Sequence, residues 1–415
     1  MAIINSQTLP IAHMHLTEIF KRLDFENLLS CRLVCKRWKE ILFFFPLKHT
    51  LFTKNSIGKI FPFMFDVTIN EISVSLITSL DTTLWLKNIS IRHITQKSCD
   101  LLGKMNLNLV TTLELYFSNS TYLNVNNMQS LKRLSLYDFP ALQDDGFICV
   151  NPTLRELKLS SIPFLAFKKV KHITPYLKRL ELTNTPLVNK NTFSQFTRFV
   201  QLKHLSINDN EELTDNALQG TLQNANIIEM TISDCPLLHG KCLSTFPPLE
   251  KLNLTFNRAL DFNCIETYNF LEKLTSLDLF GSSVSRLPEM PKLKRLSIGY
   301  TEVKTSMVSK LQTLKSLDVT YLKLTDEMLD GIAAIKGIIT LNLSFNTSLS
   351  DIGLQKIINN CTKLQGINLA RCTLLTSHTL STLTKITSLK CCVLPNFLKV
   401  NADRIWNSLA YSDIE

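Results

Sequence analysis

The sequence predicts an α/β solenoid in which short parallel strands alternate with return segments. Three observations predict it. An apolar pattern, L-x-x-L-x-L, recurs through most of the 415 residues; Asn or Cys follows many copies at a fixed distance; and Leu-Thr-Asp or Leu-Ser-Asp recurs between copies. Self-similarity at a period of about 20 to 50 residues is typical of stacked units that share one continuous hydrophobic core.

The apolar pattern sets the strands. Clear copies lie 19 to 26 residues apart and begin at Leu131, Leu154, Leu177, Leu202, Ile227, Leu249, Leu274, Leu293, Leu314, Ile338, Leu364 and Leu389. Looser copies begin at Leu86 and Val110, and a still weaker one at Met64. Because side chains alternate across a strand, we expect the leucines to face the core and the residues between them to face a concave parallel sheet.

The segments between copies carry turn and helix signals. The residue three positions after the last strand leucine is Asn or Cys in several copies, where it can bond to backbone groups as the chain turns, namely at Asn210, Cys235, Asn257, Asn346 and Cys372. Thr214, Thr325 and Ser350 are each followed by Asp and suit helix starts. The shorter steps at 274–293 and 293–314 predict turns or 3₁₀ returns instead of α-helices.

This pattern resembles the cysteine-containing class of leucine-rich repeats, which implies a right-handed leucine-rich-repeat solenoid, a horseshoe with a helical convex side. We expect the repeats to occupy residues 81–395. Residues 51–80 are then a linker and N-terminal cap or a degenerate repeat, and residues 396–415 a C-terminal cap or tail.

Residues 1–50 follow a different pattern, that of a small all-α module. Apolar residues spaced three and four apart indicate a first helix, and a second apolar run extends from Leu28 to Trp38. The run Leu33-Val34-Cys35-Lys36-Arg37-Trp38 resembles the F-box family. The family's Leu-Pro opening lies eight residues before the helix isoleucine, whereas Leu9-Pro10 here lies ten residues before Ile19. Two residues are inserted, or the opening has diverged. The alternative interpretation is a plain helical cap for the solenoid.

The F-box resemblance implies the substrate-recognition subunit of a Skp–cullin–F-box ubiquitin ligase. A Skp-type adaptor, and through it a cullin, would bind the module at Leu16, Ile19, Phe20, Leu23, Leu28, Leu29, Val34, Cys35 and Trp38. The repeats would bind a protein substrate, and the chain would act as a monomer within the larger complex. The alternatives are a scaffold outside any ligase and an inhibitor-like clamp on an enzyme.

Candidate substrate-binding residues occupy the alternating positions of the strands. They are Tyr116, Arg133, Tyr137, Lys158, Arg179, His204, Phe280 and Arg295. Aromatic residues on an exposed sheet either anchor a partner or stabilise the sheet by cross-strand packing, and the sequence leaves both open. The charges are mixed in sign, which disfavours a groove for a nucleic-acid backbone.

No motif predicts a catalytic, cofactor or metal site. The sequence contains no G-x-S-x-G, H-E-x-x-H, Walker or G-x-G-x-x-G pattern, and Cys235, His239 and Cys242 lack a second pair of ligands at zinc-like spacing. We therefore expect a non-enzyme whose partners catalyse any ubiquitin transfer.

Composition favours a protein that works inside a cell. The sequence has eleven cysteines without a C-x-x-C pair, no basic leader and no apolar run of membrane-spanning length. Half of the net charge of +10 lies in residues 1–60, which hold nine Lys or Arg and four Asp or Glu. We expect no nucleic acid or membrane partner and a cytoplasmic or nuclear location, or a host cell's cytoplasm if the source is an intracellular microbe.

Overall fold

The computed structural model describes residues 87–163, 173–185, 193–194, 196, 198–219, 222, 226–261 and 268–398, and the backbone of 51–52 and 66–69. The chain divides into two compact units. The first comprises Met1–Leu165 and Lys169–Tyr176, and the second Ala166–Lys168 and Leu177–Glu415. Within the described residues, no helix has the length and apolar character needed to cross a bilayer.

The first unit is a parallel sheet with short return elements. Its strands are β1 (Leu51–Phe52), β2 (Asp66–Ile69), β3 (Asn88–Arg92), β4 (Thr112–Tyr116), β6 (Arg133–Tyr137) and β8 (Glu156–Ser160), which pair in that order. On the return side, β5 (Leu123–Asn124) pairs with β7 (Phe147–Ile148). Helix α1 (Gln96–Leu102) follows β3, and the Thr95 side chain caps it by accepting from the backbone N–H of Ser98.

The second unit repeats the arrangement ten times. Its strands pair in chain order, all parallel: β9 (Arg179–Thr183), β10 (His204–Asn208), β11 (Glu229–Ser233), β12 (Lys251–Asn253), β13 (Ser276–Asp278), β14 (Arg295–Ser297), β15 (Ser316–Asp318), β16 (Thr340–Asn342), β17 (Gly366–Asn368) and β18 (Cys391–Val393). Its return helices are α2 (Asp215–Leu218), α3 (Thr305–Val308), α4 (Asp330–Ala333), α5 (Asp351–Asn360) and α6 (Ser377–Leu383). In the described part of this unit, 3₁₀ helices cover Lys241–Thr245, Asn269–Glu272 and Asp326–Leu329.

The strand leucines form the core, as their alternation predicts. In β4, β8 and β10 every second residue is buried and the residues between are partly exposed. The register aligns Leu252 with Leu277, and Leu277 with Leu296, so equivalent leucines stack from strand to strand. Each fully buried leucine stabilises the fold by about 1.5–3 kcal/mol relative to an exposed one. The predicted leucine-rich-repeat solenoid is therefore the observed fold.

A left-handed turn follows each of the strands β3, β4, β6 and β8 to β17. The residue two positions after the last strand leucine has a φ of +49° to +71° at His93, Phe117, Asp138, Ser161, Asn184, Asp209, Asp234, Phe256, Gly281, Tyr300, Tyr321, Phe345 and Arg371. Asn, Asp and Gly tolerate this conformation, whereas larger side chains crowd the following carbonyl. The turn sends the chain from the sheet into the return segment.

The Asn and Cys position that follows the turn fastens neighbouring repeats together. The Asn257 amide donates to the carbonyls of Ile232 (2.7 Å) and Leu254 (2.8 Å), and its oxygen accepts from the Cys235 N–H (3.0 Å). Asn346 repeats this arrangement with Val319, Leu343 and Leu324. The Cys372 thiol donates to the Leu343 carbonyl (3.2 Å). The predicted role of this position in satisfying turn backbone groups is confirmed.

The return segments confirm some expectations and correct others. Ser350 caps α5 through the N–H of Ile352, as its Leu-Ser-Asp signal predicts. The 274–293 repeat has no helix between its strands, but the expectation for 293–314 is wrong, because the single-turn α-helix α3 fits there. In the first unit, Leu123 and Val125 are buried at alternating positions, a period that suits the strand β5 and not a helix.

Candidate binding surface

The open face of the sheet consists of the strand side chains that alternate with the buried leucines, and of the strand ends beside them. It carries the eight binding candidates. In the first unit these are Tyr116, Arg133, Tyr137 and Lys158 on β4, β6 and β8. In the second unit they are Arg179, His204 and Arg295 on β9, β10 and β14, and Phe280, which lies two residues beyond β13. A role in binding for these residues stays a prediction.

Three candidates of the first unit form one stack. Tyr116 and Tyr137 are register partners, and their rings are parallel, with centroids 4.4 Å apart and planes 4° apart. The Lys158 ammonium lies 5.6 Å from the Tyr137 ring centroid, within cation–π range. The Tyr116 hydroxyl donates to Glu114 (3.3 Å), and burial followed by the Glu114 charge raises the pKa of Tyr116. This geometry is that of cross-strand packing, and it holds both rings in place.

Arg133 lies beside this stack without joining it. Its side chain is exposed, and one guanidinium nitrogen donates to the Thr112 hydroxyl on the neighbouring strand (3.0 Å).

His204 belongs to a charged cluster that crosses three strands. His204, Glu229 and Lys251 are consecutive register partners, the Glu229 carboxylate accepts from His204 Nδ1 (2.8 Å), and it also pairs with Lys251. Burial raises the pKa of Glu229, but hydrogen bonds from Lys251 and His204 outweigh it and lower the pKa overall. Arg179 is the exposed register partner of His204 on β9. The Glu229 carboxylate thus neutralises part of the positive charge in this cluster.

Phe280 lies at the end of β13, where a left-handed turn begins. Its backbone N–H donates to the Asp278 carboxylate (3.1 Å), and its ring meets Phe256 edge-on at 5.5 Å. Burial raises the pKa of Asp278, and the Asp318 charge adds to this effect. Asp278 and Asp318 lie on the open face, between the starts of their strands and the turns that follow them.

A row of aromatic residues at the left-handed turns of the second unit was not predicted from the sequence. Tyr300, Tyr321 and Phe345 are 59%, 46% and 45% exposed. Their rings contact one another in sequence, with centroids 5.4 Å apart for Tyr300 and Tyr321 and 5.9 Å apart for Tyr321 and Phe345. We call these three residues the aromatic row. The signal available in the sequence was an aromatic residue one position before the place where several copies have Asn or Cys.

A basic depression at the starts of β14 and β15 was also missed in part. Its volume is about 550 Å³, and it is lined by Thr275, Lys294, Arg295, Lys315, Ser316, Ile339 and Thr340. Only Arg295 was predicted, because Lys294 and Lys315 occupy the first variable position of L-x-x-L-x-L, one residue ahead of the alternation. A Lys after the first leucine of two consecutive copies was the signal.

The cysteines of the described residues are mostly apolar core residues. Burial raises the pKa of the Cys149 and Cys392 thiols to about 12, and that of Cys372 to about 11. The described residues contain no cluster of three or more His, Cys, Asp or Glu side chains placed to hold a metal ion.

The adaptor-binding candidates lie outside the described residues. They are Leu16, Ile19, Phe20, Leu23, Leu28, Leu29, Val34, Cys35 and Trp38. All of them fall within residues 15–50, which match the F-box domain family.

Solved structures with a similar fold come from several sources. An internalin from Listeria monocytogenes is 17% identical, with a TM-score of 0.47, and the match covers 79% of this chain and 86% of that one. Rad7, solved in complex with Elc1 in yeast, is 15% identical, with a TM-score of 0.47 and coverage of 99% and 98%. A leucine-rich-repeat protein of Leptospira interrogans is 16% identical, with a TM-score of 0.45 and coverage of 83% and 93%.

The fold assignment rests on this chain's own strand register and turn geometry. The N-terminal assignment rests on the family match, which supports the resemblance carried by Leu33 to Trp38. Residues 15–50 match the F-box domain family, and the described residues after them have the leucine-rich-repeat fold.

Proposed function

We propose that this protein is the substrate-recognition subunit of a Skp–cullin–F-box ubiquitin ligase. The observation that carries the proposal is the F-box match at residues 15–50. Residues 1–50 would bind a Skp-type adaptor and, through it, a cullin. The repeats in 81–395 would bind a protein substrate, with residues 51–80 and 396–415 flanking them.

The open face of the repeats suits a receptor role. Parallel strands hold its side chains in fixed register, and ring stacking and hydrogen bonds restrict Tyr116, Tyr137 and His204 before any partner arrives. Side chains that are already ordered lose little entropy on binding, which favours affinity. In this function the chain positions a substrate, and the partners carry out ubiquitin transfer.

Adaptor binding is the direct test. The tagged full-length chain should co-purify with a Skp-type adaptor and a cullin. Trp38→Ala, Leu28→Ala and Leu16→Asp should each lower adaptor recovery at least tenfold, because each truncates or charges an apolar residue of the F-box match. Lys385→Glu, an exposed change in the repeats, is the matched control and should keep full recovery.

The outcome separates the proposal from its alternatives. A wild-type chain that never recovers the adaptor overturns the ligase role and leaves a scaffold or an inhibitor-like clamp. Circular dichroism of each variant should match the wild type, so that a loss of adaptor reports on the F-box surface and not on unfolding. A single form at the mass of one chain in light scattering would agree with a monomer that joins a larger complex in the cytoplasm or the nucleus.

A further inference from the structure

The residues that line the basic depression include three with cationic side chains and none with a carboxylate. The cationic residues are Lys294, Arg295 and Lys315, and the remaining lining residues are three with hydroxyl side chains and Ile339. Three repeats before β14, by contrast, Glu229 lies between Lys251 and His204 and pairs with both. Adjacent cations without a carboxylate repel one another and attract an anion.

The backbone ladder fixes the positions of these lining residues. The N–H groups of Lys294 and Arg295 both donate to the Thr275 carbonyl, and those of Lys315 and Ser316 both donate to the Lys294 carbonyl. The Thr340 hydroxyl donates to the Ser316 hydroxyl (2.7 Å), which keeps two hydroxyl groups beside the cations. Cations and hydroxyls together are the donors that bind phosphate or carboxylate oxygens.

The aromatic row lies at the opposite ends of the same strands. Arg295 and Tyr300 belong to one repeat and are five residues apart, as are Ser316 and Tyr321. At about 3.3 Å per residue, the two features are separated by roughly 15 Å. Asp278 and Asp318 lie on the open face between them. A ligand that reaches both features must therefore be extended, with an anionic group at one end and an apolar group at the other.

Folding does not account for the aromatic row. Each of its residues has a φ of +53° to +60°, a conformation that is unfavourable for a large side chain. The ring contacts between neighbours offset this cost without clearly exceeding it. Asp209, Asp234 and Gly281 occupy the same turn position in other repeats at lower strain. Strained, exposed aromatic residues of this kind concentrate at binding sites.

From these features we infer that the repeats spanning β13–β16 bind an extended acidic segment of the protein substrate. The segment presents a phosphorylated side chain or a carboxylate pair to the basic depression and, four to six residues away, an apolar side chain to the aromatic row. The residues between are neutral or basic, because they cross Asp278 and Asp318. This inference rests on the proposed function for the identity of the partner as a substrate.

Fluorescence polarisation with designed peptides tests it on the full-length chain. The probes are labelled peptides on a Gly-Ser-Ala scaffold whose central position is phosphoserine, Glu-Glu or Ser, with one Phe placed three to seven residues to either side. Phosphoserine or Glu-Glu peptides with Phe at the matching distance should bind at least tenfold more tightly than the Ser peptide. Tight binding by both acidic probes identifies carboxylate as sufficient, and binding by phosphoserine alone identifies a phosphorylated substrate.

Two kinds of variant assign the binding to the two features. Lys294→Glu and Arg295→Glu should weaken the acidic peptides at least tenfold, and the matched reversal Lys385→Glu should leave them unchanged. Tyr321→Asn should weaken only the Phe-containing peptides, by at least fivefold. Because Asn tolerates the left-handed turn, its thermal midpoint should stay near that of the wild type, which separates binding from folding.

Three results would overturn the inference. They are equal affinity for the phosphoserine, Glu-Glu and Ser peptides, no effect of either charge reversal, and tighter binding of a single-stranded oligonucleotide that is lost with the same reversals. Adaptor recovery and peptide binding, both measured on the wild-type chain, separate this test from that of the proposed function. Retained adaptor with no peptide binding refutes only the acidic segment. Peptide binding without adaptor refutes only the ligase role.

Discussion

Asn257 offers the sharpest test of how neighbouring repeats are held together. Its side chain is fully buried and serves three backbone groups, the carbonyls of Ile232 and Leu254 and the N–H of Cys235. Asn257→Ala removes all three bonds at once. Every strand and turn residue nearby keeps its own side chain.

The expected cost follows from the groups that are left without a partner. The Leu254 carbonyl keeps a hydrogen bond from the Ser282 hydroxyl (2.6 Å), so the Ile232 carbonyl and the Cys235 N–H are the two groups that lose one. A buried donor or acceptor that loses its partner costs about 1–3 kcal/mol, so we expect Asn257→Ala to lower the free energy of unfolding by about 2–6 kcal/mol. Asn257→Cys should cost about half as much, because a thiol at the equivalent position donates to a carbonyl, as Cys372 does to Leu343. The exposed control Asn360→Ala should stay within about 0.5 kcal/mol of the wild type.

Urea titration followed by circular dichroism measures the change in unfolding free energy. Because repeats can unfold in blocks, hydrogen exchange at the Cys235 amide should accompany the titration and should accelerate in Asn257→Ala. If Asn257→Ala is no less stable than Asn360→Ala, or if the Cys235 amide exchanges at the wild-type rate, the buried Asn does not fasten the repeats.

Three further predictions concern other parts of the fold. Glu229→Gln should destabilise the second unit by up to about 1 kcal/mol at pH 7. Since the folded pKa of Glu229 is lowered, this difference should be fully present at neutral pH and disappear as acidification protonates the folded carboxylate, and a pH-independent difference in urea titrations would contradict the ion-pair account. Gly146→Ala should cost about 1–3 kcal/mol, because its Cβ would lie 1.8 Å from the Thr121 carbonyl oxygen. Thermal melts measure this cost. Gly366→Ala, whose Cβ meets only a methyl group at 3.5 Å, is the control and should leave the thermal midpoint unchanged. Iodoacetamide should label exposed Cys391 in the native protein but spare buried Cys392, and equal labelling of the two by mass spectrometry would refute the burial.

The sequence pattern predicted those features that depend on residues close together in the chain. Strand leucines alternate because the core lies on one side of the sheet, so their positions could be read directly from the sequence. The same holds for Asn257 and Asn346, whose side chains serve backbone groups that every copy of the turn exposes. Strand β1 could not be predicted in this way, because a strand of two residues is too short to show an alternation of buried and exposed positions.

The parts of the binding surface that were missed depend on packing between repeats. Whether Tyr116 anchors a partner or stacks on Tyr137 depends on the strand register, which sets their 4.4 Å separation. The basic depression arises because Lys294 and Lys315, one repeat apart, come together at the start of adjacent strands. Tyr321 is exposed because a left-handed turn directs the chain away from the sheet. An aromatic residue in the sequence does not predict that conformation.

Quantitative mass spectrometry of the partners of the tagged full-length chain tests the central claim most directly. It should compare the wild type with Trp38→Ala and Arg295→Glu in cells treated with a proteasome inhibitor. The account predicts that Trp38→Ala loses the Skp-type adaptor and the cullin but keeps the other partners, while Arg295→Glu keeps adaptor and cullin and loses an acidic-segment partner. Recovery of neither adaptor nor cullin with the wild type would contradict it.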